Sequence, residues 1–296
     1  MGKATTSAAN ATAQGLIWGG LGVLAFSMSL PATRLTVTGG IDGALAGLGR
    51  AVIAGLLAAL VLLAARRPLP RRDLWPRLGL VALGVVLGFP LLTSLALSSA
   101  SAGHGIIVAG LIPIATAVVA VTRSRERLSP AFWGSAAAGV AAVLLFALTR
   151  GAGSLAASDL LLLGAVAAAG LGYAEGGALA REMGGIWVIC WALVLALPLT
   201  AALTLAAADL GSLWTATPSA WAGFAYLSIV SMFLGFFPWY RGLALGGVAR
   251  VGRLQLAQPV LSLIWAALLL GEPMTGATLG AAAAVLACVV ATQLSR

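Results

Sequence analysis

Charge is what this sequence has least of. Only 8% of its 296 residues are Asp, Glu, Lys or Arg, against about 25% in a soluble domain. Cysteine is nearly absent too. Cys190 and Cys288 both sit inside apolar runs, which excludes a disulfide framework and a zinc site. There is one histidine, His104, and the 8 carboxylates are scattered. Neither a metal cluster nor a serine–histidine pair facing one another inside the membrane can be assembled from that stock. The glycine-rich phosphate loop of ATP-driven machines is missing as well. Polar segments are short, the longest being 66–76, "RRPLPRRDLWP", so no soluble domain is expected.

What the chain has is apolar surface: 61% of its residues are hydrophobic and the mean hydropathy is +1.05. A soluble core cannot absorb that much, so lipid must be the solvent. In this setting the net charge of +9 reads as a topology signal rather than a nucleic-acid footprint. Sixteen Arg to one Lys, with abundant Ala and Gly, fits a GC-rich bacterial genome. The expected location is therefore a bacterial inner membrane.

A helix needs about 20 apolar residues to cross the hydrocarbon. Ten stretches qualify, at roughly 14–34, 42–64, 75–97, 103–122, 130–149, 158–180, 185–207, 218–243, 249–270 and 275–294. The expected fold is all-α integral membrane, with a short tail at 1–13 ahead of the first span. Ten spans put both termini on one side. If that side is the cytoplasm, 14 of the 17 basic residues fall in inner segments, a strong positive-inside bias. Asp42, Asp159, Asp209 and Glu272 then lie at outer ends.

The halves resemble each other. Pro113, Glu126 and Gly134 recur 146 residues later as Pro259, Glu272 and Gly280, both sets reading P-x12-E-x7-G. At an offset of 148, Pro90 meets Pro238; at 147, Phe26 meets Tyr173. Leu and Ala matches are cheap in such a chain, whereas Pro and Glu matches in the same order are not. The chain therefore divides into 14–149 and 150–296. Five spans is an odd number, so the second unit enters the bilayer inverted, an architecture of secondary transporters that bind substrate near the midplane between the repeats. Glu126 and Glu272 fit as helix-start residues, each placing a carboxylate near the positive end of the helix that follows; a transported-proton role is the alternative.

The two segments "PIATAVVAVTRSRERLSPAFWGSAAAGVAAVLL" and "PVLSLIWAALLLGEPMTGATLGAAAAVLACVV" resemble the Pro…Glu repeat of EamA-type transporters, within the drug/metabolite transporter superfamily. "LAGLGRAVIAGLLAALVLL" is similar to that family's second span, with Arg50 at its arginine. The resemblance covers essentially the whole chain and implies a ten-helix carrier around a central cavity. It implies export of amino acids, including aromatic or bulky apolar ones, or of drugs and other metabolites. Arg125-Glu126 departs from the family's Gly-Glu. No cofactor, no nucleic acid and no obligate protein partner is expected; a small-molecule substrate and membrane lipid are.

Mid-span prolines point to the cavity, because each removes a helix hydrogen bond and frees a carbonyl. These are Pro31, Pro90, Pro113, Pro238 and Pro259. "FFPWYR" adds Trp239, Tyr240 and Arg241, read either as an interfacial belt with a snorkelling arginine or as a stacking wall beside a carboxylate site. Phe26, Phe89 and Thr93, on other spans, are further candidates to line the cavity. Glu175, with Tyr173 before it, is the only acid well inside a span. It can pair with an arginine in an inner gate, meet a substrate ammonium, or carry a proton. His104 opens a span at the outer face, either as polar surface or with a substrate or proton role. Gln255 and Gln258 lie one turn apart beside Pro259 and can bind a zwitterion or join helices.

Overall fold

A computed structural model describes residues 2–124, 129–150, 155–246, 251 and 253–294. Glu126 lies outside them. Among the described residues eight helices are long and apolar enough to cross a membrane: α1 (Ala13–Thr38), α2 (Leu45–Ala64), α3 (Arg72–Leu97), α4 (Ala102–Val121), α5 (Pro130–Thr149), α6 (Ala157–Met183), α7 (Gly185–Ala207) and α8 (Pro218–Gly242). Two shorter apolar helices follow, α9 (Leu254–Leu270) and α10 (Gly276–Thr292). The expected ninth span, 249–270, falls partly outside the described residues; within them α9 opens with a tight 3-10 segment, Arg253–Ala257, before its α-helical part. The stretch expected as a tail is helical: Gly2–Ser27 is one continuous helix running into α1.

Large apolar side chains point outward. Leu60 is 63% exposed and Leu268 is 71% exposed, an arrangement that water would penalise and lipid does not. Inside, three apolar clusters form, the smallest around Ile41, Leu45 and Phe224; the two larger ones join most of the helices. One joins α1, α2, α3, α6, α7 and α8 around Leu78, Ile189 and Leu193. The other joins α4, α5, α6, α9 and α10 around Ile106, Ile107 and Phe132.

The pairing of helices has a pattern. α1 packs on α8, and α3 packs on α6; these pairs are counterparts when the two halves exchange. α2 pairs with α7, α4 with α9 and α5 with α10, each helix meeting its own counterpart. Small residues bring the helices together, as expected where lipid removes the hydrophobic drive between them. Gly84 and Gly172 meet where α3 crosses α6. A Cβ on Gly84 would stand 2.4 Å from the Ala168 carbonyl oxygen and 2.7 Å from the Gly172 nitrogen.

Short connections leave one face rich in arginine, with Arg66, Arg67, Arg71, Arg72 and Arg77 between the end of α2 and the first turns of α3. The guanidinium of Arg67 lies 3.7 Å over the Trp187 ring, so the start of α7 belongs to that face. The starts of α2, α4 and α6 lie at the opposite face.

Candidate functional site

A cavity of about 890 Å³, open space at its mouth included, lies between the two halves. Its aromatic wall takes one ring from each of four helices: Phe26 of α1, Phe89 of α3, Tyr173 of α6 and Phe236 of α8. Its polar groups are Ser29, Arg50, Ser231, Gln255, Gln258 and Ser262, and three prolines, Pro90, Pro113 and Pro259, line it as well.

The helices that build this wall are irregular where they meet it. Leu45–Gly49 is π-helical and leads directly into Arg50. Ala82–Gly88 is π-helical and leads into Phe89 and Pro90. Tyr226–Leu234, also π-helical, carries Ser231 and Met232 and precedes Phe236. Wide turns of this kind loosen the regular ladder and recur at functional sites. The π segments of α3 and α8 both end just before matched prolines, Pro90 and Pro238.

α1 shows how a broken helix is repaired. It ends one helical run at Ser27 and begins another at Ser29. Pro31 has no N–H to give the Ser27 carbonyl. That oxygen accepts instead from the Ser262 hydroxyl at 2.5 Å, across from α9. The Tyr226 hydroxyl donates to the Ala25 carbonyl at 2.6 Å. Trp265 Nε1 donates to the Ser27 hydroxyl at 3.0 Å, which in turn donates to Leu24 O at 2.8 Å. The kink is held by side chains of the second half, so its geometry depends on how the halves meet. Nearby, the Ser29 and Ser231 hydroxyls lie 2.7 Å apart, linking α1 to α8 across the cavity wall.

Of the residues singled out in the sequence, Phe26, Phe89, Tyr173, Gln255 and Gln258 line the cavity, as do Pro90, Pro113 and Pro259. The others lie elsewhere. Thr93 is buried and its hydroxyl donates to Phe89 O at 2.6 Å, back along its own helix. Trp239 is buried between α8 and α1, edge-on to Phe26 with ring centroids 6.3 Å apart. Tyr240 packs against Phe236 at 5.6 Å and fills the space left by Gly176 and Gly185. Arg241 is exposed, its guanidinium 4.7 Å over the Trp18 ring, and so turns away from the cavity. Pro31 sits at the α1 kink, and Pro238 is half-buried on α8 outside the cavity wall.

Glu175 is buried and lies 3.4 Å from Arg77 of α3. Arg77 also meets Glu182 at 2.5 Å. This cluster joins the halves at the arginine-rich face. At the opposite face His104 Nε2 lies 2.6 Å from Asp159 Oδ1, with its ring stacked on Phe146 at 5.4 Å. Asp159 Oδ2 also accepts from the Ala156 N–H at 2.7 Å. Glu272 accepts from the Ala102 N–H at 2.7 Å and the Gly103 N–H at 2.8 Å. It serves a helix start, but that of α4 in the other half rather than that of α10, which follows it. Spacing along the chain cannot reveal such a partner, because the contact is tertiary. Among the described residues no three His, Cys, Asp or Glu side chains gather to hold a metal ion.

Arg50 is the residue that the cavity adds to the list. Its sequence signal was available, since a charge inside an apolar span is costly and points to function. Ser29, Ser231 and Ser262 gave no such signal, because serines are frequent and cheap in membrane helices.

Residues 13–148 and 156–293 each match the family model of EamA-like transporters. The chain is 45% identical over 293 residues to the uncharacterized transporter YdeK of Bacillus subtilis (strain 168), covering 96% of this chain and 98% of that protein. The solved structures that match include a crystal structure with a TM-score of 0.65, covering 95% of this chain and 98% of its own at 23% identity. At that identity the likeness is one of fold alone.

Proposed function

Because the chain belongs to the EamA-like transporter family, and so is a multi-pass membrane transporter of the drug/metabolite superfamily, we propose that it is a secondary carrier of the bacterial inner membrane. It exports small metabolites, foremost amino acids with aromatic or bulky apolar side chains. In this reading α9 and α10 complete ten spans, the second five inverted relative to the first, with both termini in the cytoplasm. The arginine-rich face is then the cytoplasmic one. The exchange-related helix pairs and the 146-residue recurrence of the Pro–Glu pattern support the inverted repeat.

The observation that carries the proposal is the cavity between the halves. Four aromatic rings supply a surface for an apolar side chain, while Gln255, Gln258 and the serines supply uncharged donors and acceptors for a polar end. Such a mix suits a small amphiphilic metabolite. Contacts across the halves tie the two faces together, and opening one set at a time would give alternating access. Gradient-driven movement of substrate needs no nucleotide, cofactor or obligate protein partner.

Efflux from proteoliposomes loaded with a mixed amino-acid pool tests the proposal. Faster loss of aromatic and bulky apolar amino acids than from protein-free vesicles is the expected result. If no amino acid leaves faster, the amino-acid reading fails and a drug or other metabolite panel takes its place.

A further inference from the structure

Arg50 sits 3% exposed on α2, and it lines the cavity. Among the described residues its Nε has no hydrogen-bond partner, and its one hydrogen bond, from a terminal nitrogen to the Thr33 hydroxyl, is long at 3.4 Å. No described carboxylate pairs with it: the acids in ion pairs are Asp73, Glu175, Glu182 and Asp159, each on another partner. The described residues lining the cavity include this one basic side chain and no acidic one.

A desolvated guanidinium without a counter-charge is expensive. Its planar fork of donors matches a carboxylate through two parallel hydrogen bonds. We propose that Arg50 is the anchor for a carboxylate of the transported molecule, which supplies the negative charge that the protein withholds. The proposal rests on the carrier reading above and narrows it: the substrate must carry a carboxylate, and a purely cationic drug is rejected. A zwitterion's ammonium then meets only uncharged acceptors, from the hydroxyls of Ser29 and Ser231 or the amides of Gln255 and Gln258. The apolar part lies against Phe89 and Tyr173.

Gly47, one turn before Arg50, fixes where the guanidinium stands. A Cβ there would lie 2.6 Å from the Leu91 Cα and 3.0 Å from the Pro90 carbonyl oxygen. The backbone of α2 therefore runs directly against α3 just past its π-helical segment. That contact leaves little freedom for the anchor to withdraw from the cavity.

Matched compounds test this on the purified full chain. Thermal stabilisation is measured with 3-phenylpropionate, phenylalanine, cinnamamide and phenylethylamine, for the native chain, Arg50→Gln and Arg50→Lys. The two carboxylates are expected to stabilise the native chain and the amide and amine to fail. Arg50→Gln should weaken carboxylate binding on the order of 30-fold, as for loss of one partner of a buried charge pair, and Arg50→Lys should weaken it less. The proposal is overturned if phenylethylamine binds as well as 3-phenylpropionate, if no carboxylate binds, or if Arg50→Gln keeps the carboxylate preference. Should Arg50→Gln fail to fold, the acid–amine contrast in the native chain and the Arg50→Lys result decide it. Efflux separates the two readings. Carboxylate binding that depends on Arg50, without amino-acid efflux, removes the amino-acid substrate and keeps the anchor. Efflux that Arg50→Gln leaves unchanged keeps the substrate and removes the anchor.

Discussion

On the arginine-rich face, Arg77 of the first half reaches two side chains of the second, Glu175 and Glu182. On the opposite face, Glu272 of the second half reaches two backbone amides of the first, at Ala102 and Gly103. Both faces carry a side-chain pair across the halves, His104–Asp159 on the opposite face, but only the opposite face adds a carboxylate held on backbone amides. A side-chain pair between flexible partners can re-form in many geometries and costs little to open. A carboxylate on two backbone N–H groups fits one geometry and satisfies donors that a helix start otherwise leaves unpaired. The asymmetry implies that the opposite face is the stiffer of the two, and that the arginine-rich face opens with less loss.

Removing the ties one by one sharpens this comparison. Glu272→Ala strips a charged acceptor from two N–H groups and should lower stability by about 2 kcal/mol or more; thermal unfolding of the purified chain measures it, and Glu272→Gln should recover part. Asp159→Asn removes the charge that meets both His104 and the Ala156 amide, and should cost about 1–2 kcal/mol in the same assay. Glu175→Gln breaks a largely buried pair, yet Arg77 keeps Glu182, so about 1 kcal/mol is expected. Glu182→Gln acts on a side chain that is 42% exposed and should change stability by less than about 0.5 kcal/mol. If Glu182→Gln proved costlier than Glu272→Ala, the ordering of the two faces would be reversed.

How much of this could be read from the residues depended on distance along the chain. The apolar runs and the recurrence of Pro113 and Glu126 as Pro259 and Glu272 are local signals, and they give the helices and the halves. The prolines pointed to the cavity because a missing N–H is a local fact with a tertiary consequence. "FFPWYR" shows where such reasoning stops. Trp239 and Tyr240 pack against neighbouring helices, and Phe236 faces the cavity in their place. The π-helical segment Tyr226–Leu234 lies just before them. One inserted residue turns everything after it by about 100° about the axis, so faces counted along a regular helix come out wrong. The partners of Glu272, Glu175 and His104 lie on other helices and depend on how those helices pack. Arg50 was legible as a charge in a span, but its lack of an acidic partner appears only once the neighbours are in place.

Access to the cavity from the two sides is the most direct test. In a chain carrying Cys190→Ala and Cys288→Ala, a cysteine replaces Ala109, a small residue of the cavity wall. Its labelling by a membrane-impermeant thiol reagent is then followed from each side of sealed vesicles. The account predicts labelling from both sides, with substrate changing the rates in opposite senses. Labelling from one side only, unmoved by any substrate, would contradict alternating access through this cavity.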